Sequence, residues 1–205
     1  MDPPHGEESE FDAWYAEEHV PLRMRVPGFL SAVRGYAVQG EPSHLVIYYL
    51  ESRDILSTPE YEDVRNNPSS QTTHMLDNVA AFTRYIGDEI SDTGTASSGQ
   101  YLYLVTFEVP EDFQEEFDAW YERDHLPHLM SNEAWIRCRR YNIVESHPVG
   151  VTRAALHELT DLSALDSPER ERARATPWRA QLSQNEWFSS SRYAVYQRFQ
   201  DFSAE

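Results

Sequence analysis

The sequence contains no lysine, and its 17 strongly basic residues are all arginine. A chain of 205 residues would ordinarily contain on the order of a dozen lysines. A biased base composition of the gene is the simplest explanation. The absence nevertheless excludes a Schiff-base lysine, covalently bound pyridoxal phosphate and the lysine of a phosphate-binding loop.

Cysteine and long apolar runs are scarce as well. Cys138 is the single cysteine, which excludes an internal disulfide framework and a cysteine-rich metal site. There is no run of about 18 apolar residues, so we expect no membrane span. Residues 1–8 are acidic and lack the apolar segment of a secretory signal. These features predict a cytoplasmic protein.

Positive charge is also in short supply, because the formal net charge is −18. This charge opposes binding to nucleic acid or to anionic lipid, and we expect neither partner. A hydrophobic content of 40% predicts a globular protein. Aromatic residues make up 13% of the chain, a density that would suit either a cavity for a flat apolar molecule or an ordinary core.

The most informative feature of the sequence is an internal repeat. Residues 10–15 (EFDAWY) recur letter for letter at 116–121, and each copy continues to an acid-His-x-Pro sequence. Residues 34–36, 57–60 and 84–85 match 139–141, 166–169 and 192–193 at offsets of 105 to 109. The ordered series predicts two copies of one folding unit, at 1–91 and 101–205, joined by a linker at 92–100.

Apolar periodicity and proline positions predict the elements of each copy. In the second copy, strands at 101–109, 135–144, 151–159 and 191–199 and helices at 111–125 and 166–185 give the order β-α-β-β-α-β. We expect the first helix to end near His125, because the residue before Pro127 is disfavoured in helical geometry. The first copy has predicted strands at 29–38, 44–50 and 83–90 but no opening strand.

The predicted fold class is therefore α+β, with two ferredoxin-like repeats that form a pseudo-dimer similar to a dimeric α+β barrel. Two such units with their open sheet faces together would enclose a space lined by side chains. The missing first strand of the first copy would leave a sheet edge uncovered, which is an association liability. Whether the chain forms a homodimer stays open.

The helix-end motif resembles that of a known family. Trp14-Tyr15-x-x-Glu18-His19-x-Pro21, followed by a Val-Pro-Gly-Phe turn and Arg-Gly-Tyr, is similar to the EthD-like branch of the dimeric α+β barrel superfamily. The second copy keeps the motif at 120–127 but has Asn-Glu-Ala-Trp at the turn. The resemblance implies a fold more strongly than an activity. The superfamily includes cofactor-independent monooxygenases of phenols, isomerases, cyclases, heme enzymes and proteins with no assigned reaction.

The two motif histidines, His19 and His125, are the candidate catalytic residues. Tyr15 and His19 are four residues apart and share one helix face, as do Tyr121 and His125. A helix C-terminus and the adjacent acid, Glu18 or Asp124, would both favour the imidazolium form. A histidine that titrates near neutral pH can act as acid or base. Helix-end capping is the alternative role.

Several other side chains are candidate substrate-binding residues. An inward-facing arginine could hold a carboxylate or enolate, although surface pairing with the abundant acids is the alternative. A tyrosine could donate to an oxyanion, or simply be a core residue. The candidates are Arg34, Tyr36, Arg139, Tyr141, Trp14, Trp120, Tyr15, Tyr121 and His128.

The pair His125-x-x-His128 has helical metal-ligand spacing, but Pro127 lies between the two and no third ligand is evident. Heme bound through an axial histidine is a further alternative. We expect no metal and no cofactor.

These observations predict a cofactor-independent acid/base enzyme of cyclase, isomerase or lyase type that acts on a small apolar enolisable metabolite in secondary metabolism or catabolism. One alternative is a cofactorless monooxygenase of a phenolic substrate. Another is a non-catalytic protein that binds a small molecule or serves in assembly.

Overall fold

A computed structural model describes residues 1–95 and 97–204, and its fold is α+β. Seven strands are present in these ranges: β1 (Phe29–Gln39), β2 (His44–Leu50), β3 (Arg84–Gly94), β4 (Tyr101–Phe107), β5 (Trp135–His147), β6 (Arg153–Leu159) and β7 (Arg192–Ser203). The α-helices are α1 (Glu8–Trp14), α2 (Val20–Met24), α3 (Pro59–Asn66), α4 (Ser70–Asn78), α5 (Glu111–Trp120), α6 (Leu126–Leu129), α7 (Pro168–Arg174) and α8 (Pro177–Leu182). Within these ranges, no helix combines the length and apolar character that crossing a membrane would require.

The chain forms two compact units. The first contains residues 1–37, 41–83 and 198–204 of the described chain, and the second contains 38–40 and the described part of 84–197. Strand β7 contributes its first half to the second unit and its second half to the first.

The first unit has the strand order β2-β1-β7, with β1 and β2 antiparallel. Helix α3 begins at Pro59 after Thr58, whose hydroxyl accepts the Tyr61 backbone N–H, and Ser69 caps α4 in the same way. Such caps satisfy helix N–H groups that have no partner within the helix. The apolar faces of α1 and α4 then pack on β1 around Phe11, Trp14, Tyr15, Val20, Ala32 and Met75.

The predicted absence of an opening strand in the first copy is seen in this unit, where helix α1 precedes the first strand. Met1 instead exchanges two backbone hydrogen bonds with His44 of β2, at 3.1 and 3.2 Å. Asp2 exchanges two more with Ala80, just before β3, at 2.8 and 3.1 Å. Met1 and Asp2 therefore lie between β2 and the residues that precede β3. In a ferredoxin-like unit the first strand has this place, between the third and fourth strands of the unit.

Residues from β4 onward have the predicted β-α-β-β-α-β order, and together with β3 they form a sheet that runs β7-β4-β6-β5-β3 in the second unit. The pairs β4–β6, β4–β7, β5–β6 and β3–β5 are all antiparallel. All residues of β6 are buried, and this strand lies between β4 and β5 in the sheet. Helices α5 to α8 pack on one face around a core that includes Phe107, Phe117, Trp120, Tyr121 and Trp135.

Strand β3 lies in the second unit, although its sequence ends the predicted first repeat. It pairs with β5 from Arg84 to Gly94, so residues 92–94 are strand where the sequence predicts linker. Arg137 of β5 donates two hydrogen bonds to the Asp92 carboxylate, which holds the end of β3 on the sheet. The repeat boundaries at 91 and 101 stay a prediction, while the first compact unit leaves the chain after residue 83. Ala96, within the predicted linker, lies outside the described residues.

The prediction that the motif helix ends near His125 was wrong. A π-helical turn over Tyr121–His125 leads directly into α6, and Tyr15–His19 forms the same turn before α2. The Leu126 N–H bonds to the Tyr121 carbonyl, five residues earlier. Pro127 is the second residue of α6, directly after this turn.

Candidate functional site

The two helices that carry the EFDAWY repeat, α1 and α5, are each fixed to the sheet by a buried arginine and an aspartate of the repeat. Arg34 donates to the Asp12 carboxylate at 2.7 Å, and Arg140 donates to that of Asp118. Both arginines are 2% exposed, and their guanidinium groups lie over the rings of Tyr15 and Tyr121. A buried guanidinium needs a carboxylate partner, so these arginines and aspartates position the helices.

The sequence repeat matches Arg34 with Arg139. In the structure the residue that corresponds to Arg34 is Arg140, one position later. Alternate strand residues face opposite sides of a sheet, so this shift places Arg139 on the face opposite the helices. There it donates to Glu158 at 3.0 Å. Tyr36 lies on the helix-facing side and donates to Asp12 at 2.6 Å. Tyr141 is two residues from Arg139 on the same strand, so it shares the opposite face.

His19 is buried in the first unit, with 5% of its surface exposed. Its ring lies 4.3 Å from that of Trp14 and 4.7 Å from that of Tyr15, measured between centroids. Its Nδ1 atom is buried and has no hydrogen-bond partner among the described residues. Burial, reinforced by Arg23 and Arg34, holds the pKa of His19 well below its usual range, so the ring is neutral at pH 7.

His125 in the second unit is half-buried against Trp120 and Tyr121. Its Nδ1 lies 3.3 Å from the Ala173 carbonyl, to which a neutral ring donates. Burial lowers the pKa of His125 to about 4, and the Ala173 carbonyl and Asp124 oppose this shift only in part. The prediction that the helix end would favour imidazolium was therefore wrong for both histidines, because loss of hydration outweighs nearby negative charge.

The acids beside the histidines connect one helix to the next. Glu18 accepts hydrogen bonds from Ser69 at 2.5 Å and Thr72 at 2.6 Å, at the start of α4. Asp124 accepts one from Thr176, the N-cap of α8, at 2.5 Å. The structure thus brings each acid to a helix N-terminus, where a carboxylate is favourable.

His157, which the sequence left without a role, is the centre of a buried network in the second unit. The Trp135 indole N–H donates to its Nδ1 at 2.9 Å. Indole can only donate, so Nε2 carries the ring proton and donates to the Tyr121 hydroxyl at 2.8 Å. Burial holds the pKa of His157 well below its usual range and that of Tyr121 well above it. Residues of a strand face alternate sides of the sheet, so the predicted strand over β6 was the sequence signal for the position of His157.

The remaining predicted site residues are distributed between core and surface. Trp14 is buried, and its indole N–H donates to Thr72 at 2.9 Å. Trp120 is buried, and its indole nitrogen has no partner among the described residues. Tyr15 is buried, with its hydroxyl 3.6 Å from the Met1 sulfur. His128 is half-buried, and its carbonyl accepts from Ser131.

A cavity of about 320 Å³ lies in the second unit beside the His157 network. Tyr103 forms part of its wall and stacks on His157 at 5.5 Å between centroids. The Arg170 guanidinium lies 5.9 Å from the centre of the Tyr103 ring. The other lining residues are Val38, Gln39, Leu162, Leu165, Asp166, Arg174, Tyr193 and Val195.

The cavity therefore combines aromatic and aliphatic walls with two guanidinium groups and one carboxylate. This chemistry suits a flat apolar compound that carries or develops negative charge on oxygen. No group of three or more His, Cys, Asp or Glu side chains in residues 1–95 and 97–204 is arranged to hold a metal ion.

Residues 100–201, just under half of the chain, match the family described as a domain of unknown function, DUF4286. Among curated protein sequences, none matches the chain.

Solved structures share the fold over nearly the full length. An anthrone oxidase-like protein matches with a TM-score of 0.68 and 11% identity, over 95% of this chain and 88% of the other. A proposed monooxygenase from Fusobacterium nucleatum matches with a TM-score of 0.60 and 6% identity, over 99% and 91%. One from Lactobacillus acidophilus matches with a TM-score of 0.56 and 11% identity, over 98% and 93%. At these identities the likeness establishes a shared fold.

Proposed function

We propose that this chain is a cofactor-independent oxygenase that acts on a small phenolic or readily enolised aromatic compound in the cavity of the second unit. The observation that carries the proposal is the placement of Tyr103 and Arg170 around one cavity, with the His157 network directly behind Tyr103. We further propose that the chain is a tandem-duplicated relative of the EthD-like proteins, on the strength of the two Trp-Tyr-x-x-acid-His-x-Pro segments.

The cavity supports binding of a planar anion. Its volume falls within the range of small-molecule sites, and its leucine, valine and tyrosine side chains provide apolar contact. Arg170 is anchored by donation from its Nη1 to the Leu165 carbonyl at 2.5 Å. An anchored guanidinium can stabilise a phenolate or enolate oxygen without much reorganisation.

The neutral imidazole of His125 supports a role in proton acceptance. Its Nδ1 proton is directed to Ala173, which leaves Nε2 as the basic atom. Burial is the main cause of its lowered pKa, and Arg170 of the cavity wall contributes in the same direction.

The reaction balances without a further reagent. Loss of one proton gives an electron-rich carbanion, which transfers electrons to dioxygen and forms a hydroperoxide at the same carbon. Loss of water from the hydroperoxide leaves a ketone. With anthrone, the methylene carbon becomes a carbonyl, and one molecule of dioxygen is consumed for each water released.

The names of the structural neighbours favour this reaction over the cyclase, isomerase or lyase chemistry that the sequence suggested first, because they refer to oxidase-like or monooxygenase proteins. Proton transfer alone would use the same imidazole and arginine. Turnover in the absence of oxygen separates the two possibilities.

The experiment is an oxygen-electrode assay with the purified protein and anthrone, followed by identification of the quinone. We expect oxygen uptake that falls at least tenfold in Arg170→Gln and His125→Asn. Arg172→Gln is the matched control, because Arg172 lies on the same helix and pairs with Glu169 at the surface. Uptake that is unchanged in both variants would remove the second-unit cavity as the site, and turnover of anthrone or a phenol under nitrogen would replace oxygenation by acid/base chemistry.

A further inference from the structure

Helix α7 presents two arginines to the cavity of the second unit. Arg170 and Arg174 are four residues apart, so they lie on one side of the helix, and both line the cavity. Arg172, which lies between them in the sequence, is outside the cavity wall and pairs with Glu169 at 2.7 Å. The helix therefore divides its arginines between a surface ion pair and the cavity.

Neither cavity arginine forms an ion pair within residues 1–95 and 97–204. The Arg170 guanidinium has the Leu165 carbonyl and the Tyr103 ring. The Arg174 side chain has no hydrogen bond, ion pair or ring contact in that part of the chain. The sequence contains 35 Asp and Glu residues against 17 arginines, so a shortage of carboxylates does not explain the missing pairs.

The cavity wall is positive on balance, although the protein is strongly acidic. Its charged residues are the two guanidinium groups and one carboxylate, that of Asp166. The formal net charge of the whole chain is −18. A cleft whose charge is opposite to that of the surrounding protein favours a ligand of matching charge, in this case an anion.

We propose that the substrate of the second-unit cavity is a phenolic aromatic acid, and that Arg174 selects it by binding its carboxylate. The inference rests on the proposed function, because it places this substrate in the same cavity and leaves the reacting oxygen with Arg170. Arg174 determines specificity in this scheme, since the carboxylate that it binds does not react.

The two arginines differ in depth. Arg170 is half-buried and lies beside the buried ring of Tyr103. Arg174 is exposed and is the last residue of α7, one helical turn later, which separates the two Cβ atoms by about 5–6 Å. A ring system whose reacting oxygen is held at Arg170 would therefore direct a carboxylate on its outer part towards Arg174 and solvent.

Two tyrosines supply the aromatic walls between these charges. The rings of Tyr103 and Tyr193 meet edge to face, at 6.0 Å between centroids and 70° between planes. Tyr193 is 51% exposed, so a ligand ring that packs on it would remove apolar surface from water. The carboxylate near Arg174 would stay partly hydrated, so loss of hydration would offset little of the ion pair. A flat aromatic acid meets both conditions.

The test is a calorimetric titration of the full-length protein with 2-naphthoate and with 2-naphthamide, its uncharged counterpart. Neither compound has the acidic methylene group of anthrone, so binding is measured without turnover. We expect 2-naphthoate to bind roughly tenfold more tightly, which corresponds to one hydrogen-bonded charge pair, and this preference should decrease with added salt. Arg174→Gln should reduce the preference to about twofold or less and leave the affinity for 2-naphthamide unchanged.

Two features of the variants keep the outcome decisive. Arg174→Gln changes an exposed side chain without a partner in the described residues, so it should fold as the natural protein does. Arg172→Gln is the matched control on the same helix and should keep the full preference. Binding of neither compound, equal affinity for both in the natural protein, or a full preference in Arg174→Gln would overturn the proposal.

Oxygen uptake separates this inference from the proposed function. With an anthrone that carries a carboxyl group on an outer ring, Arg174→Gln should raise KM and leave kcat unchanged, and the values for anthrone itself should not change. Oxygen uptake without a preference for 2-naphthoate would keep the oxygenase and reject the carboxylate site. A preference that depends on Arg174, without oxygen uptake from either anthrone, would reject the oxygenase and keep the carboxylate site.

Discussion

The two units present almost the same helix to two different environments. In the first, the Asp12 carboxylate is shared by Arg34, Tyr36 and His44, the last at 3.6 Å. In the second, Asp118 is held by two arginines, Arg140 and Arg153. The same six-letter segment thus meets one guanidinium in one unit and two in the other. Beside its tyrosine, the first core has Tyr48 with an unpaired hydroxyl, and the second has His157, which is bonded to Trp135 and Tyr121. The repeated motif keeps the helix and its arginine–aspartate pair, while the strand residues that face the helix differ between the two units.

The largest expected effect concerns the two anchoring carboxylates. Asp118→Ala would remove the carboxylate that two buried guanidinium groups, Arg140 and Arg153, share, and we expect a loss of about 3–5 kcal/mol in the free energy of unfolding. Asp12→Ala removes the carboxylate from one, Arg34, which keeps Gln200, so its loss should be about 1–3 kcal/mol. Urea unfolding followed by circular dichroism measures both. Equal losses would mean that Arg153 adds little to the anchor.

The next effect compares the two strand residues that face the motif tyrosines. His157→Phe removes the partners of the Trp135 indole and the Tyr121 hydroxyl, and we expect a loss of about 2–4 kcal/mol. Tyr48→Phe removes a hydroxyl without a partner, so stability should stay the same or rise slightly. Thermal unfolding of the two variants side by side tests this contrast. A comparable loss in Tyr48→Phe would show that its hydroxyl has a partner after all.

The buried histidines also predict a dependence of stability on pH. The folded pKa of His125 is about 4, below the ordinary value of 6.5, so the unfolded chain binds more protons between these values. Stability should be complete above pH 6.5 and decrease as the pH falls towards 4, by up to about 1.4 kcal/mol per pH unit for this histidine.

Unfolding experiments at pH 7.5, 6 and 5 measure the slope of the unfolding free energy against pH. His125→Asn is the comparison. The slope should be smaller in the variant, and His19→Asn should reduce it in the same direction. A slope that is identical in all three proteins would contradict the neutral state of the two rings.

The smallest expected effect concerns the two threonine hydroxyls that bond Glu18 and Asp124. Thr72→Val removes the hydroxyl that joins Glu18 to Trp14, while Thr176→Val removes both the cap of α8 and the partner of Asp124. Loss of an N-cap costs about 1 kcal/mol, so Thr176→Val should be the more destabilising of the two. Chemical denaturation of the two variants measures which one loses more of the free energy of unfolding.

Much of the fold is accessible from the sequence because it depends on local patterns. Alternating β-formers before Pro110 predict β4, and a serine followed by proline predicts the start of α7. The structure also brings Tyr15 to His19 and Tyr121 to His125, as four-residue spacing indicates.

The features that the sequence did not reveal depend on register and burial. Matching Arg34 to Arg139 instead of Arg140 is a shift of one residue, which changes the face of the sheet and hence the partner. The pKa values of His19 and His125 follow from tertiary burial, which no local pattern contains. His157 acquires its hydrogen-bond partners from two separate elements, so only the folded chain brings them together.

Strand β3 ends at Gly94, whose positive φ and close approach to the Ile136 carbonyl leave no room for a side chain. Residues 84–94 complete the sheet of the second unit, and residues 198–203 complete that of the first. Expression of either sequence repeat by itself would therefore yield a fragment that lacks one of its own strands and carries one that belongs elsewhere.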